Sequence, residues 1–261
     1  MANPEPTISL CLIGKDEKKY FLEEVIKSAL TFCDEIIYVD TGSVDGTLGF
    51  LTREYPMVKQ YYKEFAVPED YTTCKNFAVS KATCDYVLTT DCDEVFSEEI
   101  KHLKKLLIDN PKIECFNLHG EHYMGDLVHF DRTTNVHIWQ NRLFKRIPSI
   151  KYKDGTMHGL AEGAKTSSTI PFILVHHYGF CKNMIDALRR YETNSSDKSQ
   201  NRDAYLKWQF YHMITGTYPG QPVIPYPITY YIQVLRSHPE VIKEKFHIEE
   251  IIKQQTDGIQ N

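Results

Sequence analysis

The stretch Tyr86-Val87-Leu88-Thr89-Thr90-Asp91-Cys92-Asp93-Glu94 decides how the rest of the chain is interpreted. Its first three residues form an apolar run typical of a buried β-strand. Three carboxylates follow within four positions, and like charges at that density repel one another unless a cation lies among them. Mg²⁺ and Mn²⁺ prefer oxygen ligands and need only one or two protein carboxylates, so Asp91 and Asp93 are predicted metal ligands. A solvated acidic turn is the alternative that this spacing leaves open.

The composition indicates one large globular domain and gives no sign of nucleic-acid binding. The chain has 261 residues, of which 42% are hydrophobic, enough to supply a core. Its formal net charge is −5, and no long basic run is present. If the partner is an anion, we therefore expect a small one.

The cysteines and the hydropathy pattern predict a cytoplasmic location. Seven cysteines are scattered singly without a C-x-x-C pair, as in proteins of a reducing compartment. The first residues show no secretion signal, and no apolar run approaches the roughly 18 residues of a membrane span. We expect a protein without a transmembrane segment, which leaves room for peripheral membrane contact.

Strand and helix patterns alternate through the first 91 residues. They predict strand 7–14, helix 20–31, strand 35–40, helix 47–55, strand 58–62, helix 71–81 and strand 86–91. Short units of this kind form parallel strands with right-handed crossovers. The loops after the strands then meet at one edge of the sheet, where open α/β sheets bind ligands. That edge would carry Asp16, Asp40, Asp91 and Asp93.

The second half of the chain has a different pattern. A helix is predicted over 98–110, alternation predicts antiparallel strands at 114–123 and 136–144, and a further strand is predicted at 170–177. From residue 183 onward the pattern is helical, with one interruption rich in Pro and Tyr.

The loop Asp40-Thr41-Gly42-Ser43-Val44-Asp45-Gly46-Thr47 has the composition of a ligand-binding loop, although a capped turn uses the same residues. Its small residues let the backbone approach a ligand closely, and it leads into a helix N-terminus. Asp40 ends a strand parallel to the one before Asp91, so its carboxylate can accept from a base N–H or a ribose hydroxyl. Neither G-x-G-x-x-G nor the P-loop pattern is present, so Rossmann and P-loop chemistry are not supported.

Four segments occur in a recognisable order: Asp16-Glu17, residues 36–47, Lys75-Asn76-Phe77-Ala78 and residues 85–94. Together they resemble the glycosyltransferases of the GT-A fold, specifically the inverting family 2, over residues 7–180. The resemblance implies an α/β domain over residues 1–182 with a mostly parallel sheet and flanking helices. Residues 7–110 would be its nucleotide-binding half and 111–182 its acceptor and metal half, and 183–261 would form a helical C-terminal extension.

The resemblance also implies roles for single residues. Asp40 would hold the nucleotide base, Asp91 the ribose or a metal-bound water, and Asp93 the Mn²⁺ or Mg²⁺ ion on the donor diphosphate. The other residues expected at the nucleotide are Asp16, Ser43, Asp45, Lys75 and Asn76. For Lys75 a plain surface position on its helix is the alternative.

Two later segments, residues 141–146 and 175–180, resemble the R-L-F-R and H-Y-G segments of the same family. They imply that Arg142 steadies the charge of the diphosphate and that His177 completes the metal shell of Asp91 and Asp93. The alternatives are an ion pair with a surface carboxylate for Arg142 and a structural hydrogen bond for His177.

One departure from the family concerns the catalytic base. Family members commonly carry a His-Glu pair where this chain has His158-Gly159, so the expected carboxylate is missing. Inverting transfer needs a base close to the acceptor hydroxyl. Glu162 and His158 are the candidates for it; the rivals are Asp154, Glu121 and Asp126, and loss of the base is a further alternative.

The expected function is metal-dependent transfer of a sugar from a nucleotide-diphosphate sugar, with UDP-sugars favoured, to an acceptor hydroxyl with inversion. The acceptor would be a glycan, a lipid-linked molecule or a protein. A catalytically silent module that binds nucleotide sugars is the first alternative, for which the missing carboxylate at position 159 is the sequence hint. A nucleotidyltransferase is the second, but the Gly-rich basic phosphate loop that it needs after the first strand is absent.

Overall fold

The computed structural model describes residues 4–64, 71–124, 137–153, 160–181, 238–246, 248–249 and 253. A 3₁₀ turn at Glu98–His102 precedes the fourth helix. The elements are, in chain order, β1 (Ile8–Gly14), α1 (Leu22–Ala29), β2 (Glu35–Asp40), α2 (Thr47–Glu54), β3 (Lys59–Tyr62), α3 (Tyr71–Lys81), β4 (Tyr86–Thr89), β5 (Glu94–Phe96), α4 (Leu103–Asp109), β6 (Cys115–Met124), β7 (His137–Lys145), β8 (Lys151–Tyr152), β9 (Ala161–Glu162), β10 (Ser167–Phe180) and α5 (Glu240–Lys245).

The main sheet of the described residues has eight strands in the order β3-β2-β1-β4-β7-β6-β10-β5. The strands β3, β2, β1 and β4 are parallel, as are β6 and β10. Strand β7 is antiparallel to β4 and β6, and β5 is antiparallel to β10. The predicted parallel first half and the predicted antiparallel pair that follows it are both confirmed. Strands β8 and β9 form a separate hairpin.

Alternate residues of the central strands enter separate cores on the two faces of the sheet. Leu10 and Leu12 of β1 pack on one face with Ile26 of α1. Cys11 lies on the other face with Ala78 of α3. Burial on both faces explains why these strands have unbroken apolar runs instead of alternating patterns.

The sequence patterns did not predict the short strands β5, β8 and β9. Strand β5 has three residues and begins with the buried Glu94, the last residue of the acidic motif. Its pairing places Glu94 opposite His177 of β10. The segment predicted as one helix over 98–110 is instead the 3₁₀ turn followed by α4.

The described part of the C-terminal region includes α5, which packs against α1. The ring of Phe246 lies 6.1 Å from that of Phe21, and Lys245 Nζ donates to Glu24 Oε2 at 2.8 Å. Most of the predicted extension 183–261 lies outside the described residues. Among the helices that the structure describes, none combines the length and the apolar composition of a membrane span.

A buried carboxylate joins three segments at the end of the sheet opposite the acidic motif. Glu35 of β2 accepts hydrogen bonds from Ser9 Oγ of β1, from Lys59 Nζ of β3 at 2.5 Å, and from Thr83 N at 2.8 Å. Burial alone would raise the pKa of Glu35, but these donors outweigh it and lower the pKa to about 2.

Replacing this carboxylate is expected to lower stability in a pH-dependent way. Glu35→Gln should cost about 1–3 kcal/mol of unfolding free energy at pH 7, because charge-assisted bonds are lost in a buried position. The pKa is depressed in the folded state, so the contribution is complete above about pH 4.5 and fades as the pH falls toward 2. Urea unfolding of both proteins at several pH values measures this. A difference in unfolding free energy between the two proteins that stays constant from pH 7 to pH 3 would contradict this explanation.

Candidate active site

The acidic motif forms a tight turn just after β4. Asp91 N donates to Glu94 Oε2 at 2.9 Å, and Glu94 N donates to Asp91 O at 3.2 Å. The Asp91 side chain is 58% exposed, whereas that of Glu94 is 2% exposed. Glu94 therefore closes the turn from inside, and the Asp91 side chain is exposed to solvent.

Arg142 of β7 supplies positive charge to this turn. Its Nη2 lies 3.6 Å from Glu94 Oε1 and 3.7 Å from Asp91 Oδ2, and its Nη1 donates to Thr89 O at 3.4 Å. Burial raises the pKa of Glu94, and Arg142 opposes that rise. The sequence predicted Arg142 near the diphosphate, and the structure places it between two carboxylates at the same edge.

His177 of β10 lies beside Asp93. Tyr178 N donates to Asp93 O at 2.8 Å, which fixes the two segments side by side, and His177 Nε2 lies 3.4 Å from Asp93 Oδ1. Burial lowers the pKa of His177, but the nearby carboxylates of Asp93, Glu94 and Asp91 together outweigh it and raise the pKa above its usual value.

Asp40 ends β2 and fixes the start of the loop formed by residues 40–47. Its Oδ2 accepts from Gly42 N at 2.9 Å and from Ser43 N at 3.0 Å. Its Oδ1 is buried and has no hydrogen-bond partner within the described part of the chain. Gly42 has φ +112°, a left-handed conformation that favours glycine and lets its N–H turn back onto Asp40.

The loop after β1 and the loop after β2 are held together by Asp16, Ser43 and Asp45. Asp16 Oδ1 accepts from Val44 N at 2.7 Å, and Asp16 N donates to Ser43 Oγ at 2.9 Å. Asp45 Oδ1 accepts from Thr47 N at 2.9 Å at the start of α2. These three residues were predicted at the nucleotide, and the contacts seen here fix the shape of the loops that would face it.

Asn76 and Lys75 of α3 both contact Tyr152 of β8. Asn76 exchanges two hydrogen bonds with the Tyr152 backbone, at 2.8 and 2.9 Å, so the amide predicted at the nucleotide is engaged with the hairpin. Lys75 Nζ lies 4.9 Å from the centre of the Tyr152 ring. The Tyr152 hydroxyl lies 2.6 Å from Thr89 Oγ1, which brings the hairpin to the end of β4.

The family model described as glycosyl transferase family 2 matches residues 10–164, more than half of the chain. The chain belongs to glycosyl transferase family 2.

Individual relatives of this family 2 chain are distant. A TPR repeat-containing protein of Synechococcus elongatus is 26% identical over 188 residues, which are 68% of this chain and 43% of that protein. The SPbeta prophage-derived glycosyltransferase SunS of Bacillus subtilis is 24% identical over 218 residues, 79% of this chain and 48% of that protein. The chain thus spans about half the length of the curated relatives that it matches.

A solved structure agrees with the fold. The crystal structure of TarS from S. aureus has a TM-score of 0.50 with 13% sequence identity, over 91% of this chain and 50% of that one. At that identity the likeness bears on the fold alone. It supports the mixed α/β architecture of GT-A type that the sequence predicted.

The family implies a divalent metal, and the acidic turn has suitable chemistry for one. Asp91 and Asp93 offer carboxylate oxygens, and His177 offers an imidazole nitrogen on the neighbouring strand. A side chain at Gly179 would come within 2.5 Å of His177 Nε2 and 3.1 Å of Asp93 Oδ2, so glycine keeps the space beside this pair clear. Among the described residues no three such side chains converge on one point, so substrate oxygens and waters would have to complete the shell.

The candidates for the catalytic base separate in space. Glu162 of β9 is half exposed and pairs with Lys153 Nζ at 3.0 Å. Glu121 accepts a hydrogen bond from Tyr123 Oη at 3.0 Å. It lies opposite His176 in the strand pairing, and therefore on the sheet face away from His177. Burial on that face lowers the pKa of His176 to about 3. His158, Gly159, Asp154 and Asp126 lie outside the described residues.

Three residues at this site were not predicted to act there. Glu94 belongs to the acidic motif, but the sequence of the motif did not predict that this side chain closes the turn. Tyr152 and His122 gave no signal, because their contacts with Thr89 and His177 join segments that are far apart in the chain. Strand pairing brings His122 to the acidic edge, and hydrogen bonds with Asn76 of α3 hold Tyr152 there.

Removing the guanidinium group of Arg142 from the acidic turn is expected to destabilise the fold. Arg142→Met should lower the free energy of unfolding by about 3–5 kcal/mol, because it leaves the buried Glu94 carboxylate uncompensated. The double variant Arg142→Met/Glu94→Gln should recover part of that loss, since the neutral amide needs no counter-charge. Urea unfolding at pH 7 measures both. Equal instability of the single and double variants would show that charge compensation is not the reason.

Proposed function

We propose that this family 2 chain transfers a sugar from a nucleotide-diphosphate sugar to an acceptor hydroxyl, in a metal-dependent reaction with inversion. The observation that carries the proposal is the contact of His177 Nε2 with Asp93 Oδ1 at 3.4 Å, in the turn that also exposes Asp91, at the edge where β2 ends in Asp40. Residues 7–110 would bind the nucleotide, and residues 111–182 would supply the metal histidine and the acceptor side.

The nucleotide base would be recognised by Asp40. Its buried Oδ1 is an acceptor in need of a donor, which suits a base with a ring N–H: uracil, thymine or guanine. Because that oxygen is enclosed in the absence of ligand, the base must displace neighbouring groups to reach it. Uracil is the smallest of the three bases, so a UDP-sugar is the donor that we propose.

The diphosphate would lie over the acidic turn. Asp93 and His177 would hold Mn²⁺ or Mg²⁺, with the exposed Asp91 reaching the ion directly or through water. When bound, the ion supplies positive charge that stabilises the leaving nucleoside diphosphate. Arg142 of β7 and Lys75 of α3 would add positive charge at the same edge.

Transfer breaks the bond between the anomeric carbon and the diphosphate oxygen and forms a bond from that carbon to the acceptor oxygen. The acceptor proton must pass to a base on the opposite side of the sugar. We propose Glu162 as the base, with His158 as its rival, because the hairpin that carries Glu162 packs against the end of β4 through Tyr152.

A catalytically silent nucleotide-sugar-binding module is the second candidate. Gly159 in place of the expected glutamate favours it. Such a module would bind the donor with metal and would leave it intact, so binding and turnover have to be measured separately.

Donor binding should depend on both the metal and Asp93. In a thermal-shift and calorimetric screen of UDP-, GDP-, CMP- and dTDP-sugars, UDP-sugars with Mn²⁺ are expected to raise the melting temperature most, because a ligand that binds the native state stabilises it. Asp93→Asn should abolish the Mn²⁺-dependent part of the shift.

The matched control for this screen is Asp109→Asn, an exposed acid of α4 that pairs only with Lys105 among the described residues. It should keep the full response. If no nucleotide sugar shifts the wild-type protein under any metal condition, the proposed donor site is wrong.

The base assignment is tested by kinetics. Glu162→Gln should lower kcat/KM about 10²- to 10⁴-fold while the affinity for UDP and Mn²⁺ stays unchanged, because a base acts on the acceptor and not on donor binding. Lys153→Met, which removes the ion-pair partner, is the control for the shape of the hairpin. If His158→Gln loses turnover and Glu162→Gln retains it, His158 is the base. Donor binding without any turnover in wild type would favour the silent module.

A further inference from the structure

Two imidazoles meet edge to face next to the acidic turn. The parallel pairing of β6 with β10 places His122 beside His177. Their Nδ1 atoms are 2.5 Å apart, and the ring planes cross at 86° with centroids 4.6 Å apart. Two ring nitrogens at hydrogen-bond distance require one to donate and the other to accept.

The position of Asp93 determines which of the two Nδ1 atoms, that of His177 or that of His122, donates the hydrogen bond when a metal ion is bound. His177 Nε2 faces Asp93 Oδ1 at 3.4 Å, so this nitrogen is the one that can offer a lone pair to an ion held by Asp93. A neutral imidazole with a free lone pair on Nε2 carries its proton on Nδ1. His177 Nδ1–H must then donate, and His122 Nδ1 must accept, with the His122 proton on Nε2.

The orientation of the His122 ring is itself fixed by stacking. It stacks on Trp139 of β7, with centroids 4.9 Å apart and planes 23° apart. The indole can lie against the sheet there because position 120 is glycine: a Cβ at Gly120 would come within 2.2 Å of a Trp139 ring carbon. The acceptor nitrogen of His122 is therefore held in a set direction toward His177.

We propose that His122 is a positioning residue that fixes the ring orientation and the tautomer of His177 for metal binding. The inference rests on the proposed function, since it assumes that His177 is a metal ligand. Partners that accept the second N–H of a metal-binding histidine typically change metal affinity or activity by about 10- to 100-fold when they are removed.

The test compares three variants of the full chain. His122→Phe keeps a ring to stack on Trp139 but removes the acceptor, His122→Asn restores an acceptor oxygen, and His177→Ala removes the proposed ligand. Calorimetric titration with Mn²⁺ in the presence of UDP should show a Kd about 10- to 100-fold higher for His122→Phe, and a smaller change for His122→Asn. UDP binding without metal should be the same in wild type and in the two His122 variants.

A spectroscopic measurement separates positioning from general packing. Electron spin echo modulation of bound Mn²⁺ should show a coordinated nitrogen in wild type, a weakened signal in His122→Phe and none in His177→Ala. If wild type and His177→Ala bind Mn²⁺ alike, the metal histidine of the proposed function is wrong. If His177→Ala loses Mn²⁺ and His122→Phe does not, the positioning role alone is overturned.

A measurement on the wild-type protein covers the case in which the His122 variants do not fold. Nitrogen-15 NMR of the histidine rings with Mg²⁺ and UDP should show the proton of His122 on Nε2 and that of His177 on Nδ1. A His122 ring with its proton on Nδ1 would overturn the proposal.

Discussion

The fold depends on compensation of negative charge in the turn after β4. Glu94 is buried, and an unpaired carboxylate in that position is among the most costly groups in a protein. Arg142 meets this demand from β7, and His177 lies beside Asp93 from β10. Neither residue lies on a parallel strand of the first half. The second half of the sheet therefore does more than extend the core, since β7 brings the positive charge of Arg142 and β10 brings the imidazole of His177 to the acidic turn.

The two halves of the candidate site are built on different physical principles. The proposed nucleotide side is local: Asp40, Asp16 and Asp45 accept backbone N–H groups of the same two loops, so its shape is set over 32 residues of chain. The proposed metal side combines the turn after β4 with β7 and β10, and its side chains are held by charge and by strand pairing. An ion bound there would change the electrostatics of the second side, whereas backbone hydrogen bonds set the shape of the first.

Sequence patterns predicted what depends on local chemistry. The buried strands, the parallel order of the first half and the edge that carries Asp40 and Asp91 follow from apolar runs and from the positions of strand ends. Strand β5 was missed because three residues are too few for a periodic signal and the first is an acid. Asn76 shows a further limit: sequence marks it as a polar residue near the site, but not that the Tyr152 backbone uses its amide. Contacts of this kind depend on long-range pairing, as the His122–His177 pair also does.

Strand β10 links the site to the C-terminal region. Its alternation puts His177 and Gly179 on the face of the acidic turn and His176 and Tyr178 on the other face. On that second face Tyr178 Oη lies 2.7 Å from His238 Nδ1, and its ring stacks on Phe21 at 4.9 Å. The position of β10 is therefore fixed by the backbone of Asp93 alongside the strand and by His238, in the segment before α5, on this face. Because a histidine ligand is useful only if its strand does not shift, packing of the C-terminal segment on the far face would support the geometry of the proposed metal side.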